Sequence, residues 1–168
     1  MTKLPDAEKL TEQLAAELRP RVTPSTAMIG IYTGGAWLAE RLHAALSLRD
    51  PLGLMDIAFY RDDYHEQGLH HDPKRTKIPF DVNGCELLLV DDVLYSGRTV
   101  RAAMNEIFDY GRPASIALTV LVDRGGRQLP ICAQHCGARV EVPAGMRLRL
   151  KRDEKGKLAL ALEPARGT

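Results

Sequence analysis

The sequence predicts an α/β fold: a mostly parallel sheet with helices on both faces, followed by a C-terminal β-hairpin. Two observations carry this. Short apolar runs suited to buried strands alternate with segments whose apolar residues recur at helical spacing, an order that builds parallel sheets covered by helices. Towards the C-terminus the pattern changes. Met146 to Arg152 and Lys157 to Leu162 alternate apolar and polar residues around a turn at Asp153 to Gly156, the mark of an antiparallel hairpin. With 168 residues the chain can bury a full core, and one domain over residues 1–168 is expected.

Asp6 to Leu18 is the first helix, with Leu10, Leu14 and Leu18 on one stripe and Pro20 and Pro24 beyond its end. Ala27 to Ile31 is a short buried strand and Thr33-Gly34-Gly35 a turn. Ala36 to Leu46 resumes helical spacing through Trp37, Leu38, Leu42 and Leu46. Leu54 to Tyr60 reads as the second strand. Arg61 to Pro79 then loses all periodicity and is crowded with charges and histidines. A long polar stretch inside a compact domain is functional or disordered, and this one reads as a flap, about residues 61–79, that closes over a site. Glu86 to Val90 is the clearest buried strand. Thr99 to Tyr110 follows as a helix with Val100, Ala103, Met104, Ile107 and Phe108 on one side, and Gly111-Arg112-Pro113 stops it. Ser115 to Val122 is a further strand, and Asp123 to Pro130 a polar turn.

Composition narrows the function. A formal net charge of +1 gives no global field for nucleic acid or membrane, although a local basic face is compatible with the uneven placement of Lys and Arg. No apolar run reaches spanning length, and Met1 to Arg19 lacks the apolar core of a signal peptide. A cytoplasmic protein with no membrane partner is expected. Cys85, Cys132 and Cys136 form no disulfide framework, and the Cys132-His135-Cys136 group lacks the second pair a zinc site uses. Buried or half-buried thiols are the simpler reading.

The chemistry concentrates in Leu87-Leu88-Leu89-Val90-Asp91-Asp92-Val93-Leu94-Tyr95-Ser96-Gly97-Arg98-Thr99. Four apolar residues make the strand. Adjacent carboxylates at its end are costly to bury without cations or donors, so Asp91 and Asp92 are expected to meet ligand hydroxyls or a metal ion. Tyr95 to Thr99 opens a helix whose first N–H groups lack internal partners and attract a phosphate. Gly97 lets the backbone come close, and Ser96 and Thr99 offer hydroxyls. A Walker-type ATPase would need a Gly-x4-Gly-Lys-Ser/Thr loop, and a receiver domain a downstream lysine. The sequence has neither, with no Lys between Lys77 and Lys151.

At these residues the chain resembles the type I phosphoribosyltransferases. More narrowly, Val90 to Arg101 resembles the PyrR family, pyrimidine attenuation regulators that are also uracil phosphoribosyltransferases. Leu38 to Leu42, Tyr60 to Asp63, Gly111 to Ile116, Leu121 to Gly125 and Leu129 to Ile131 support the match. The resemblance implies transfer of phosphoribosyl from 5-phosphoribosyl 1-diphosphate (PRPP) to uracil, giving UMP and pyrophosphate. It places Asp91 and Asp92 beside the ribose hydroxyls as catalytic acids. It places Val93, Leu94, Tyr95, Ser96, Gly97, Arg98 and Thr99 around the 5-phosphate, and Val122, Asp123 and Arg124 as the hood over the base. The cofactor implied is Mg²⁺, held mainly by substrate and water, so no dedicated protein metal site is expected. A homo-oligomer, dimer or higher, is also implied.

Thr33, Gly34 and Gly35 stand where the family has its pyrophosphate loop. Many members read Lys-Thr-Arg-Gly there, whereas this chain has Tyr32-Thr33-Gly34-Gly35. Charge for pyrophosphate must then come from Arg61, Lys74, Arg75 or Arg98, with Arg61 at the start of the flap the catalytic candidate. The resemblance also implies binding of a pyrimidine leader RNA, which needs clustered cations. Arg124, Arg127, Arg139, Arg147, Arg149, Lys151 and Arg152 are available, but Gly126, Cys132 and Ala138 replace the His, Arg and Lys usual in attenuators. The enzyme therefore ranks above a UMP-sensing, RNA-binding attenuator with weak or no catalysis, and above a transferase for another base.

Overall fold

The computed structural model describes residues 3–57 and 75–166. Its centre is a parallel sheet in the order β2-β1-β3-β4-β5. The strands are β1 (Thr26–Ile31), β2 (Gly53–Met55), β3 (Glu86–Leu94), β4 (Ser115–Asp123) and β5 (His135–Arg139), and the helices are α1 (Ala7–Leu18), α2 (Gly34–Leu46) and α3 (Arg98–Tyr110). The predicted hairpin is present as β6 (Met146–Arg152) and β7 (Leu158–Pro164), paired antiparallel.

Alternation along the central strands feeds two cores, one on each face. Met28, Leu88 and Val90 pack with Leu10, Leu14 and Leu18 of α1, with Leu38 and Leu42 of α2, and with Leu148, Leu150 and Leu158 of the hairpin. Ala27, Ile29, Ile31, Leu87 and Leu89 pack with Val100, Ala103 and Ile107 of α3. Asp6 caps α1 by accepting from the Glu8 and Lys9 N–H groups. Glu8 then ties the layers together, accepting from the Leu158 N–H at 2.7 Å and from Arg41 of α2.

Several expected boundaries move, each for a local reason. β3 does not stop at Val90. β4 keeps pairing with it as far as Leu94↔Asp123, so Asp91, Asp92, Val93 and Leu94 are strand residues. The expected turn at Gly34-Gly35 is already the first turn of α2, with Thr33 as its N-cap, and α3 begins at Arg98 behind Gly97. Of the strand expected over Leu54 to Tyr60, the segment to Met55 pairs in the sheet, residues 56 and 57 do not belong to the strand, and residues 58–60 lie outside the described residues. Most of the expected flap lies outside them too; only its end, 75–79, is described. Phe108, expected on the buried side of its helix, is 54% exposed.

Candidate functional site

The order of the sheet reverses between β1 and β3. The chain leaves β1 through α2 and returns at β2 on one side of it, whereas β3, β4 and β5 lie on the other. Loops leaving β1 and β3 therefore diverge, which opens a crevice at the carboxyl ends of the strands, the usual ligand position in such sheets. β1 pairs with β3 only as far as Gly30↔Val90. The next two residues of β3 are Asp91 and Asp92, where β1 no longer covers it.

Both acids are buried, Asp91 at 2% and Asp92 at 8% exposure. Asp91 Oδ1 accepts from the Asp92 N–H at 2.9 Å. Asp92 lies against the start of α2, whose partly positive N-terminus offsets part of the cost of burying a carboxylate. The approach is so close that a side chain at either glycine would have to displace its neighbour. A methyl at Gly34 would stand 2.2 Å from Asp92 Oδ2, and one at Gly35 would stand 2.8 Å from the Val90 carbonyl oxygen and 2.9 Å from Asp91 Cα. Two separate features of the sequence, the acid pair and the Gly-Gly turn, thus meet in one place. The Tyr32–Thr33 peptide leading into this turn is cis.

Beyond Leu94 the chain turns through Tyr95, Ser96 and Gly97 into α3. Ser96 is buried and its Oγ accepts from the Arg98 N–H at 3.2 Å. Gly97 has φ +92°, a conformation side chains resist, and a methyl there would press within 3.1 Å of Ile131. The segment after β4 folds back over this turn. The Gln128 and Leu129 N–H groups donate to the Ser96 carbonyl at 2.9 and 3.2 Å, and the Arg124 N–H to the Leu94 carbonyl at 3.0 Å. Arg127 bridges the two loops, donating to the Tyr95 carbonyl at 2.7 Å and to Asp123 Oδ2 at 2.6 Å. Burial alone would raise the Asp123 pKa, but donation from Arg127 and from the Gly125 N–H outweighs it and holds the carboxyl below its usual range. The Arg124 guanidinium lies 4.1 Å from the Tyr95 ring centroid.

Residues 2–140 match the family model of the phosphoribosyl transferase domain. A protein named Bifunctional protein PyrR from Ralstonia nicotianae is 48% identical over 155 residues, covering 90% of this chain and 88% of that one. One of the same name from Pseudomonas entomophila is 45% identical over 164 residues, covering 95% and 93%. The chain belongs to the PyrR family of phosphoribosyl transferase domains.

Solved structures agree on the fold. A hypoxanthine phosphoribosyltransferase from Staphylococcus aureus superposes with TM-score 0.65 at 18% identity, covering 81% of this chain and 73% of its own. A purine phosphoribosyltransferase from Pyrococcus horikoshii gives TM-score 0.60 at 25% identity, covering 80% and 83%.

Within this PyrR frame the structure brings together Thr33, Gly34, Gly35, Asp91 and Asp92 at the crevice, with Tyr95 to Arg98 and Asp123 to Arg124 forming its neighbouring wall. Val122 is different: it is wholly buried in β4 and packs in the core, so only its backbone is available to a hood. Arg61 and Lys74 lie outside the described residues. Arg98 donates through Nε to Gln128 Oε1 at 2.8 Å. Sequence reasoning missed the Arg127 bridge. Its only trace is the i, i+4 spacing from Asp123, which a polar turn does not advertise.

The cations named for RNA are largely engaged. Arg147, Arg149 and Lys151 converge on Glu163, and Arg152 pairs with Glu40 while lying over the Trp37 ring. Among the described residues no group of three or more His, Cys, Asp or Glu forms a metal cage, and no helix is long and apolar enough to cross a membrane.

Proposed function

We propose that the protein transfers the phosphoribosyl group of PRPP to uracil, releasing UMP and pyrophosphate. The observation that carries this reading is the acid pair Asp91–Asp92, buried against Gly34-Gly35 at the β1/β3 crevice beside a glycine turn into α3. The N–H groups of the first turn of α3 receive the 5-phosphate, with Ser96 and Gly97 shaping the approach. The first turn of α2 faces the pyrophosphate. The base sits against the backbone at 122–124, where groups of the main chain read its edge.

When the bond from ribose C1 to pyrophosphate breaks, positive charge grows on the ribose ring, and fixed carboxylates at Asp91 and Asp92 stabilise it. A uracil nitrogen forms the new bond to C1 as its N–H proton passes to the departing pyrophosphate or to solvent, and the electron pair of the broken C1–O bond leaves with pyrophosphate, so no protein nucleophile is required. Mg²⁺ would be held mainly by substrate oxygens and water, with Asp91 and Asp92 the hard oxygen donors nearest to it on the chain. When bound, it neutralises the leaving group.

Membership of the PyrR family, with uracil the base that the resemblance implies, supports this reading, while the purine enzymes share the fold alone. The test offers uracil, hypoxanthine, guanine and orotate in turn with PRPP and Mg²⁺ and follows pyrophosphate release. Turnover with uracil is expected; consumption of a purine only would overturn the assignment. The cytoplasm is the compartment this reading expects. Leader-RNA binding is the second reading, favoured by the word bifunctional in the relatives' names. Its expected signature is binding that weakens steeply with salt, and absence of binding at low salt with uracil turnover retained would remove it.

A further inference from the structure

The turn at the end of β1 carries no cation of its own, yet the structure brings one to it. Residues 75–77 run along the outer edge of β2: the Leu54 N–H donates to the Lys77 carbonyl at 2.8 Å and the Lys77 N–H to the Leu54 carbonyl at 2.7 Å. The Asp56 N–H donates to Thr76 Oγ1 at 2.9 Å. This strap sets Arg75 beside the carboxyl end of β1. Its Nε donates to Asp56 Oδ2 at 3.0 Å, and its guanidinium carbon lies 4.3 Å from the centre of the Tyr32 ring. The Tyr32 N–H is in turn fixed to the Met55 carbonyl at 2.9 Å. Tyr32 immediately precedes Thr33, Gly34 and Gly35.

We propose that Arg75 is the diphosphate-binding cation of this site, carried to the turn on the face of Tyr32. The inference rests on the phosphoribosyl-transfer reading and adds to it a residue from outside the turn. Asp56 engages only Nε of a group with five donors. The Arg75 side chain is 39% exposed, whereas that of Asp56 is 2% exposed. The buried carboxylate therefore aims the guanidinium of a side chain that is itself partly exposed, and a planar fork matches phosphate oxygens. Stacking holds the fork on Tyr32, the residue that leads through Thr33 into the first turn of α2, whose N–H groups attract the same anion. Tyr32 and Asp56 are positioning residues in this arrangement, and Arg75 is the one that touches ligand.

Equilibrium binding of pyrophosphate, Mg²⁺–PRPP and UMP to the whole protein tests it. UMP has the 5-phosphate and base but no diphosphate. Arg75→Gln keeps a nitrogen donor at the position of Nε, able to donate to Asp56, and removes the charge together with the terminal fork. It is expected to weaken pyrophosphate and PRPP about ten-fold or more, the size of one charge-assisted contact, with UMP affinity unchanged. Tyr32→Lys, added to Arg75→Gln, restores the cation directly on the turn and is expected to recover most of the loss. Full retention of pyrophosphate and PRPP binding in Arg75→Gln overturns the proposal. So does an equal loss for UMP, or failure of Tyr32→Lys to recover binding in a folded double variant. If the unaltered protein binds neither PRPP nor UMP, phosphoribosyl transfer itself fails, a result separable from the others.

Discussion

Gly34→Ala is the sharpest probe of how the site is assembled. The added methyl would stand 2.2 Å from Asp92 Oδ2, 2.6 Å from its Cγ and 3.1 Å from its Cβ. Ordinary contact begins at 3.4 Å, so the carboxylate must retreat by about 1 Å or the start of α2 must lift by the same amount. The backbone of Gly34 is not in the left-handed region, so alanine suits its conformation and the whole effect is steric. Displacing a reacting group by 1 Å costs about a hundred-fold in rate, and that is the expected fall in uracil-dependent pyrophosphate release. Because Asp92 is a side chain that can rotate, the melting temperature should fall only slightly. Gly35→Ala supplies the contrast, since its methyl meets the backbone at Val90 and Asp91, which cannot rotate away. It should lower stability as well as turnover. Unchanged kcat and KM in a folded Gly34→Ala variant would show that the contact between turn and acid pair is not part of the working site.

Two further predictions follow from the neighbouring wall. Gly97→Ala forces a side chain onto φ +92° against Ile131 and should cost more than about 1 kcal/mol of stability, with UMP binding, measured calorimetrically, weakened alongside. The Asp123 carboxyl, held below its usual range despite burial, contributes stability that is present above its unfolded pKa and is lost as pH falls through the lowered folded value. The melting temperature should therefore drop below about pH 4, and Arg127→Ala should flatten that part of the profile; an identical acid limb in Arg127→Ala would refute the assignment.

The parts of the site that are contiguous in sequence were legible there. An apolar run, two acids and a glycine before a helix occupy one segment, and each residue type has a physical reason to sit where it does. What escaped was set by partners far along the chain. β5, read as part of no element, is His135-Cys136-Gly137-Ala138-Arg139, without one β-branched residue. Its extended form comes from pairing with Thr119 to Asp123, and Gly137 leaves room for the Leu121 carbonyl, which a methyl would approach to 2.5 Å. The length of β3 was misjudged likewise: Asp91 and Asp92 have poor strand propensity, and β4 holds them extended. Neither the Arg127 bridge nor the stack of Arg75 on Tyr32 is a pattern in one segment; each needs the sheet order first.

The acid pair itself then bears a conflict between stability and function. Two adjacent carboxylates, each less than one-tenth exposed, repel each other and resist desolvation, and the partly positive start of α2 offsets part of that cost. Asp92→Asn removes one of the charges while keeping the shape. The unliganded variant should therefore melt at the same temperature as the parent or higher, while turnover falls about a hundred-fold or more, the scale seen when a charge-stabilising group is removed. Ligand reverses the order. Saturating Mg²⁺–PRPP at a hundred times its dissociation constant stabilises a single-site protein by about 2.7 kcal/mol, and Asp92→Asn should gain less of this at the same concentration. Thermal melts with and without Mg²⁺–PRPP, beside initial rates, separate the two effects. A variant with undiminished turnover would take Asp92 out of the mechanism. A variant markedly less stable without ligand would make the carboxylate a structural cap on α2 rather than a charge kept for the substrate.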